Sequence, residues 1–267
     1  LKEKINTNIE CLLKILKYNV EKNLLFFRIG SQLVPFASHP ICTFDWKNHF
    51  QREFEYIGNY IKKNNIRISM HPDQFVLINA LNDKIIKNSL LELDYHCTVL
   101  DLMGLDTTAK VQIHVGGAYG DKKAALERFI EQYTLLPDKI RRRSAIENDD
   151  RIFSLSDCLY LHSKTGIPII FDNLHHECLN NGESLIEGLQ LASKTWQKKD
   201  GPLMCDYSSQ SPGERKGKHA ENINEELFKS YLVQVKESKI DPDVMFEIKN
   251  KETTALKALE IIKIQNK

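Results

Sequence analysis

The chain has 267 residues, 42% of them hydrophobic and 27% charged, with 37 Lys and Arg against 36 Asp and Glu. That composition excludes collagen-like, disordered and disulfide-dense classes, and no run of about 18 apolar residues is present to span a membrane. A net charge of +1 neither demands nor excludes nucleic acid as a partner.

Taken in chain order, the segments alternate in type. Leu1 to Glu21 carries Ile5, Ile9, Leu12, Leu13, Leu16 and Val20 on one helical stripe. Leu24 to Ile29 is a short apolar run, read as a buried strand. Asp45 to Lys63 predicts a helix, Ile66 to Met70 a strand, and Asp83 to Met103 a helix. Lys110 to Val115 is a strand, Lys122 to Tyr133 a helix, Ser144 to Glu147 a short strand and Leu155 to Lys164 a helix. Ile167 to Phe171 follows as a strand, Ser184 to Trp196 as a helix, and Leu203 to Cys205 as a weak strand. Ile223 to Glu237 is helical, Val244 to Ile248 is the last strand, and Glu252 to Ile264 is the last helix.

Strands that alternate with helices pair in parallel through right-handed crossovers. The strands are apolar almost throughout, as both-face burial requires. Seven strands, with an unmatched helix in front, fit a (β/α)8 TIM barrel lacking its first strand, as one domain over residues 1–267. An open doubly wound sheet is the alternative, but neither G-x-G-x-x-G nor G-x-x-x-x-G-K-[ST] follows any strand, so no nucleotide cofactor is expected. The six cysteines, none at C-x-x-C spacing, read as reduced thiols, and the N-terminus has no apolar signal core. The chain is therefore expected in the cytoplasm, and the absence of an initiator Met suggests that its start is missing.

The strand ends are the informative positions. They read Arg28, His71, His114, Glu147, Asp172, Asp206 and Glu247, with His175 and His219 in the loops that follow two of them. In a parallel barrel these ends converge on the face that carries active sites. A lone His is more often a hydrogen-bonded core or surface group, and a lone acid after a strand is most often the N-cap of the next helix. Six strand ends of ligand type on one face exceed what capping gives. Imidazole with carboxylate, and no thiolate, suits Mn²⁺, Zn²⁺ or Fe²⁺. Eight candidates are too many for one tetrahedral ion, so a cluster of two or three divalent ions is expected, of the kind that serves phosphate displacement.

Local strings add to this. His71-Pro-Asp-Gln-Phe75 places Gln74 and the aromatic Phe75 beside a ligand position, where a ring can stack on a base. His114 to Gly120 is glycine-rich, so its backbone can approach a phosphodiester. Arg215, Lys216 and Lys218 are phosphate contacts on the expected active face, whereas Arg141, Arg142 and Arg143 lie on the opposite side as a solvated or structural patch.

Taken together, Phe27 to Pro40, Ser69-Met-His-Pro72, His114 to Gly120, Glu147-Asn-Asp149, Asp172 to His176, Ser209-Gln210 and Val244 to Glu247 resemble the UV damage endonuclease family, in order over essentially the whole chain. The resemblance implies a TIM barrel related to endonuclease IV, with a metal cluster that is typically manganese. It implies damaged double-stranded DNA as partner and no membrane. It also implies a nick immediately 5′ to UV photoproducts, and often to abasic sites, that leaves a 3′-hydroxyl and a 5′-phosphate. Carried over by position, Glu147 is the bridging carboxylate and shares one metal with His71 and His114. Asp172, Asp206 and Glu247 hold a second ion, and His175 and His219 a third. Glu147, His114, Asp172 and Glu247 are the residues expected to be catalytic. Gln74 and Phe75 wedge into the duplex at the lesion, and Lys249 and Tyr119 contact its backbone. Some members have Tyr where Phe75 stands, and a modified lysine with a His ligand where Met204 and Asp206 stand. Stacking survives the first change, and the second favours harder ions such as Mn²⁺. The expectation is therefore a monomeric, metal-dependent DNA repair endonuclease of the cytoplasm, at the nucleoid during repair. The alternatives are a metal-dependent sugar isomerase or epimerase on the same barrel, or a DNA-binding remnant without catalysis.

Overall fold

The computed structural model describes residues 1–265. They form two compact units, one of Leu1–Tyr119 with Lys123–Ala145, the other of Gly120–Lys122 with the chain from Ile146 onward.

Unit one opens with α1 (Lys2–Lys22), whose stripe buries Ile5, Ile9, Leu12 and Leu16. Asn23 ends that helix in a left-handed conformation, its N–H turned back to the Asn19 and Val20 carbonyls. Next come β1 (Phe26–Ile29), α2 (Trp46–His49), α3 (Gln51–Lys63) and β2 (Arg67–Met70). α4 (Asp83–Leu102), β3 (Lys110–His114), α5 (Lys122–Leu135) and α6 (Asp138–Arg141) complete the unit. β1 lies parallel to β2, with Phe27 opposite Ile68, and β2 lies parallel to β3, with Ser69 opposite Lys110. The single helix expected over 45–63 is broken at Phe50, which is buried and leaves helical geometry. No Gly or Pro marks the break. Burying both Trp46, against Phe54 and Tyr95, and Phe50 decides it. α6 is absent from the sequence reading too, because it is a single turn that follows Pro137.

β4 (Ser144–Glu147) begins in unit one and ends in unit two. Unit two continues with α7 (Leu155–Thr165), β5 (Ile169–Asp172), α8 (Asn173–Cys178), α9 (Leu185–Ser193), β6 (Met204–Tyr207), α10 (Glu225–Ser238), β7 (Asp243–Phe246) and α11 (Lys251–Gln265). Capping boxes start α7 (Ser154 with Asp157) and α9 (Ser184 with Glu187), and Gly166 ends α7 at a positive φ of 73°. The pairs β4–β5, β5–β6 and β6–β7 are all parallel, and their registers set Glu147 opposite Ile170 and Asp172 opposite Asp206. Every residue of β5 and β6 is buried, as expected for strands covered on both faces. The expected strands thus recur within two residues of their predicted bounds. Among the described residues, no helix is long and apolar enough to cross a membrane.

The Arg141–Arg143 run separates into two kinds of residue. Arg141 is exposed beside Asp138, whereas the Arg143 side chain is 2% exposed. Its Nε and Nη2 reach Asp101 Oδ1 at 3.0 and 2.6 Å, and its remaining donors reach the carbonyls of Leu105, Asp106 and Ala109. The five N–H groups of a guanidinium are all used, which is the structural reading of that position.

Candidate metal centre

In unit two the parallel registers deliver acids to one end of the sheet. Glu147 and Asp172 close their strands, Asp206 is the third residue of β6, and Glu247 follows β7. One carboxylate oxygen from each of the four lies within 4.8 Å of the others. Glu147, Asp172 and Asp206 are at most 1% exposed. Four negative charges at that spacing, three of them on buried carboxylates, repel one another strongly and require a proton or a cation among them. The Asp172 carboxyl accordingly rises well above the usual carboxylate range, first through burial and then through the charges of Glu147, Glu247 and Asp206.

Asp172, His175 and His219 form an overlapping group, with ligand atoms again within 4.8 Å of one another. Burial works to lower the His175 pKa, but the Asp172 and Glu147 carboxylates outweigh it and push the imidazole up to about 11. His175 Nδ1 stands 3.0 Å from both the Asn148 carbonyl and Glu147 Oε1, and His219 Nδ1 stands 2.7 Å from the Glu247 carbonyl. Anchoring one ring nitrogen fixes the orientation of the other, as in metal-ligating histidines.

Asp172 serves two purposes at once. Its Oδ1 accepts from the His175 N–H at 2.7 Å and caps α8. Its Oδ2 is buried and accepts no hydrogen bond. The choice between helix cap and ligand therefore falls to separate oxygens of one carboxylate. A buried carboxylate oxygen without a donor, among three further carboxylates and two imidazoles, fits a hard or borderline divalent cation.

In unit one His71 follows β2 and His114 closes β3, with ring centroids 5.0 Å apart. Ser31 Oγ donates to the His71 carbonyl at 3.0 Å and meets His96 Nε2 at 3.0 Å. Gln74 and Phe75 project from the loop beyond His71, and Phe75 is 75% exposed. Tyr119 is also exposed, with the Arg128 guanidinium 5.8 Å from its ring centroid. Gly116 and Gly117 have positive φ, and a Cβ at Gly117 would collide with the Asn79 amide. That close approach gives the glycine-rich string a packing role. Arg28, the one strand-end position without a ligand-type side chain, donates to Gln112 Oε1 at 2.8 Å.

Three of the expected phosphate contacts have acidic neighbours. Arg215 lies 3.9 Å from Asp150, Lys218 2.7 Å from Glu214, and Lys249 3.2 Å from Glu221. Exposed pairs of this kind are worth about 0–1 kcal/mol, little against a polyanion. Of the eight expected ligands, six thus gather in unit two and two pair in unit one. Two residues without an expected role stand beside them. Gln210 accepts from the Gly217 N–H at 2.8 Å and donates to the Arg215 carbonyl at 2.9 Å, folding the loop that leads to His219. Asn148 follows Glu147 and is fully buried. Both lie in strings quoted above for the resemblance. Asn148 directly follows a ligand position, whereas Gln210 stands four residues beyond Asp206.

A family model described as UV-endonuclease UvdE matches residues 1–266. A protein of Clostridium perfringens named UV DNA damage endonuclease is 42% identical over 262 residues, which are 97% of this chain and 63% of that protein. The chain therefore spans less than two thirds of that relative's length. A crystal structure titled SacUVDE superposes with a TM-score of 0.94 and 45% identity, covering 100% of this chain and 89% of the other. Endonuclease IV from Thermus thermophilus superposes with a TM-score of 0.62 at 14% identity, covering 94% of this chain and 92% of the other. The fold is that of the TIM barrels.

Proposed function

The chain belongs to the UV-endonuclease UvdE family, and from that premise we propose that it is a metal-dependent DNA repair endonuclease. It nicks the phosphodiester immediately 5′ to UV photoproducts and abasic sites, leaving 3′-hydroxyl and 5′-phosphate ends. The observation that carries this reading is the set of four carboxylates within 4.8 Å, with the bare Asp172 Oδ2 among them. Glu147, Asp172, His175, Asp206, His219 and Glu247 would hold divalent ions, and the His71–His114 pair offers further imidazole ligands. The four carboxylates favour Mn²⁺, while the four imidazoles admit Zn²⁺ or Fe²⁺. When bound, such ions lower the pKa of water and stabilise the attacking and leaving oxygens of a phosphate displacement. The chain's own contribution is to hold the carboxylates at strand ends and to orient the His175 and His219 imidazoles through their anchored Nδ1 atoms.

Gln74 and Phe75 select the lesion. An exposed ring next to a ligand-bearing strand end can fill a damaged step, which costs less to unstack than an intact one. Tyr119, Arg215, Lys218 and Lys249 line the phosphates. Acting on chromosomal DNA, the enzyme works in the cytoplasm at the nucleoid.

The direct test is nicking of a duplex with one defined photoproduct, run with Mn²⁺, with Zn²⁺ and with chelator. No metal-dependent nick at the lesion would overturn the reading. A second result is expected from Phe75. Base–aromatic stacking is worth about 1–3 kcal/mol, so Phe75→Ala should reduce the preference for damaged over intact duplex by about 5- to 150-fold. Phe75→Tyr should keep it. Equal preference in wild type and Phe75→Ala would remove the wedge role.

A further inference from the structure

Asn148 has no role in the proposed activity, yet its contacts run to two of the candidate ligands. Its side chain is fully buried. The Nδ2 group donates to the Asp172 carbonyl at 3.0 Å, and Oδ1 accepts from the Asp172 N–H at 3.0 Å. Its main-chain carbonyl lies 3.0 Å from His175 Nδ1. The described β4–β5 pairing reaches Glu147 opposite Ile170. Beyond it the Asn148 amide stands in for a peptide group, serving both the donor and the acceptor of the Asp172 backbone. Only a planar amide offers one donor face and one acceptor at that spacing without a charge. A carboxylate would bring two acceptors, and an aliphatic side chain neither.

We propose that Asn148 is a positioning residue of the metal centre, clamping the Asp172 backbone with its side chain and the His175 ring with its carbonyl. Because it directly follows Glu147, one residue fixes two ligands relative to a third. The proposal rests on reading the carboxylate–imidazole cluster as a metal site. It adds that the geometry of that site depends on a neutral amide outside the ligand set. An amide serving only the fold would affect unfolding and leave the ion's affinity alone.

The test compares wild type with Asn148→Ala and Asn148→Ser by calorimetric titration with Mn²⁺, alongside kcat and KM on a duplex with one photoproduct. Loss of a partner one shell outside the ligands typically costs 10- to 100-fold in metal affinity or activity. The folded variants should therefore bind Mn²⁺ about 10- to 100-fold more weakly. At fixed, limiting Mn²⁺, kcat should fall while KM for DNA holds. Ser can make only part of the clamp and leaves room for water, so it decides the matter should Ala not fold. Wild-type Mn²⁺ affinity in either folded variant would overturn the proposal. A wild-type chain that takes up no Mn²⁺ would overturn both it and the metal reading. Binding without nicking in wild type would count against the endonuclease reading alone.

Discussion

Glu147→Gln should abolish nicking of irradiated duplex, leaving less than about 1% of wild-type activity, a loss larger than the 10- to 100-fold typical of residues one shell further out. The substitution keeps the side chain's shape and its place beside His175 Nδ1, which stands 3.0 Å from the native Oε1. What it removes is one of four charges that lie within 4.8 Å of one another. The same change gives up attraction to the His175 imidazole but removes repulsion from three neighbouring carboxylates, so the thermal midpoint of the metal-free protein should rise. Opposite signs for activity and metal-free stability are the mark of a residue kept for its chemistry. Retained nicking would remove Glu147 from the mechanism. A lower metal-free midpoint would mean that the carboxylate supports the fold.

The second large effect is on stability. Arg143→Ala should cost about 3–5 kcal/mol, because three carbonyls lose their donor at about 1–3 kcal/mol each while Asp101 keeps Arg142. For a chain of this size that corresponds to a fall of roughly 6–20 °C in the thermal midpoint. The change would leave Asp101 without its 2.6 Å contact and strip hydrogen bonds from the carbonyls of Leu105, Asp106 and Ala109. Arg143→Lys should recover only part of the loss, because an ammonium on a flexible stem cannot reproduce the planar fork. A midpoint within a degree or two of wild type for Arg143→Ala would show that the buried fork contributes nothing.

The strands of this fold were legible because each is a short apolar run between polar segments, and the ligand types at their ends were legible because parallel connection puts those ends together. β4, read as Ser144 to Glu147, has those bounds in the structure. The helix break at Phe50 was not legible, because it follows from where Trp46 and Phe50 bury and leaves no Gly or Pro in the sequence. α8 was hidden for a different reason. Its six residues fall inside the ligand string after Asp172, too short for a periodic signal. The site itself was legible as residue types and order. The clamp made by Asn148 and the loop folded by Gln210 depend on side-chain amides copying peptide groups, and no spacing rule announces that.

Asp172 gives one carboxylate two loyalties, Oδ1 to the first turn of α8 and Oδ2 to the cluster. A cation drawing on Oδ2 keeps the group ionised and the cap strong, whereas protonation weakens the acceptor that holds the His175 amide. Loading of the centre should therefore be audible in the backbone: deuterium uptake at the His175 amide should quicken on chelation and slow on adding Mn²⁺, and an unchanged rate would mean that the two oxygens act independently. A short helix then doubles as a gauge of occupancy for the neighbouring ions.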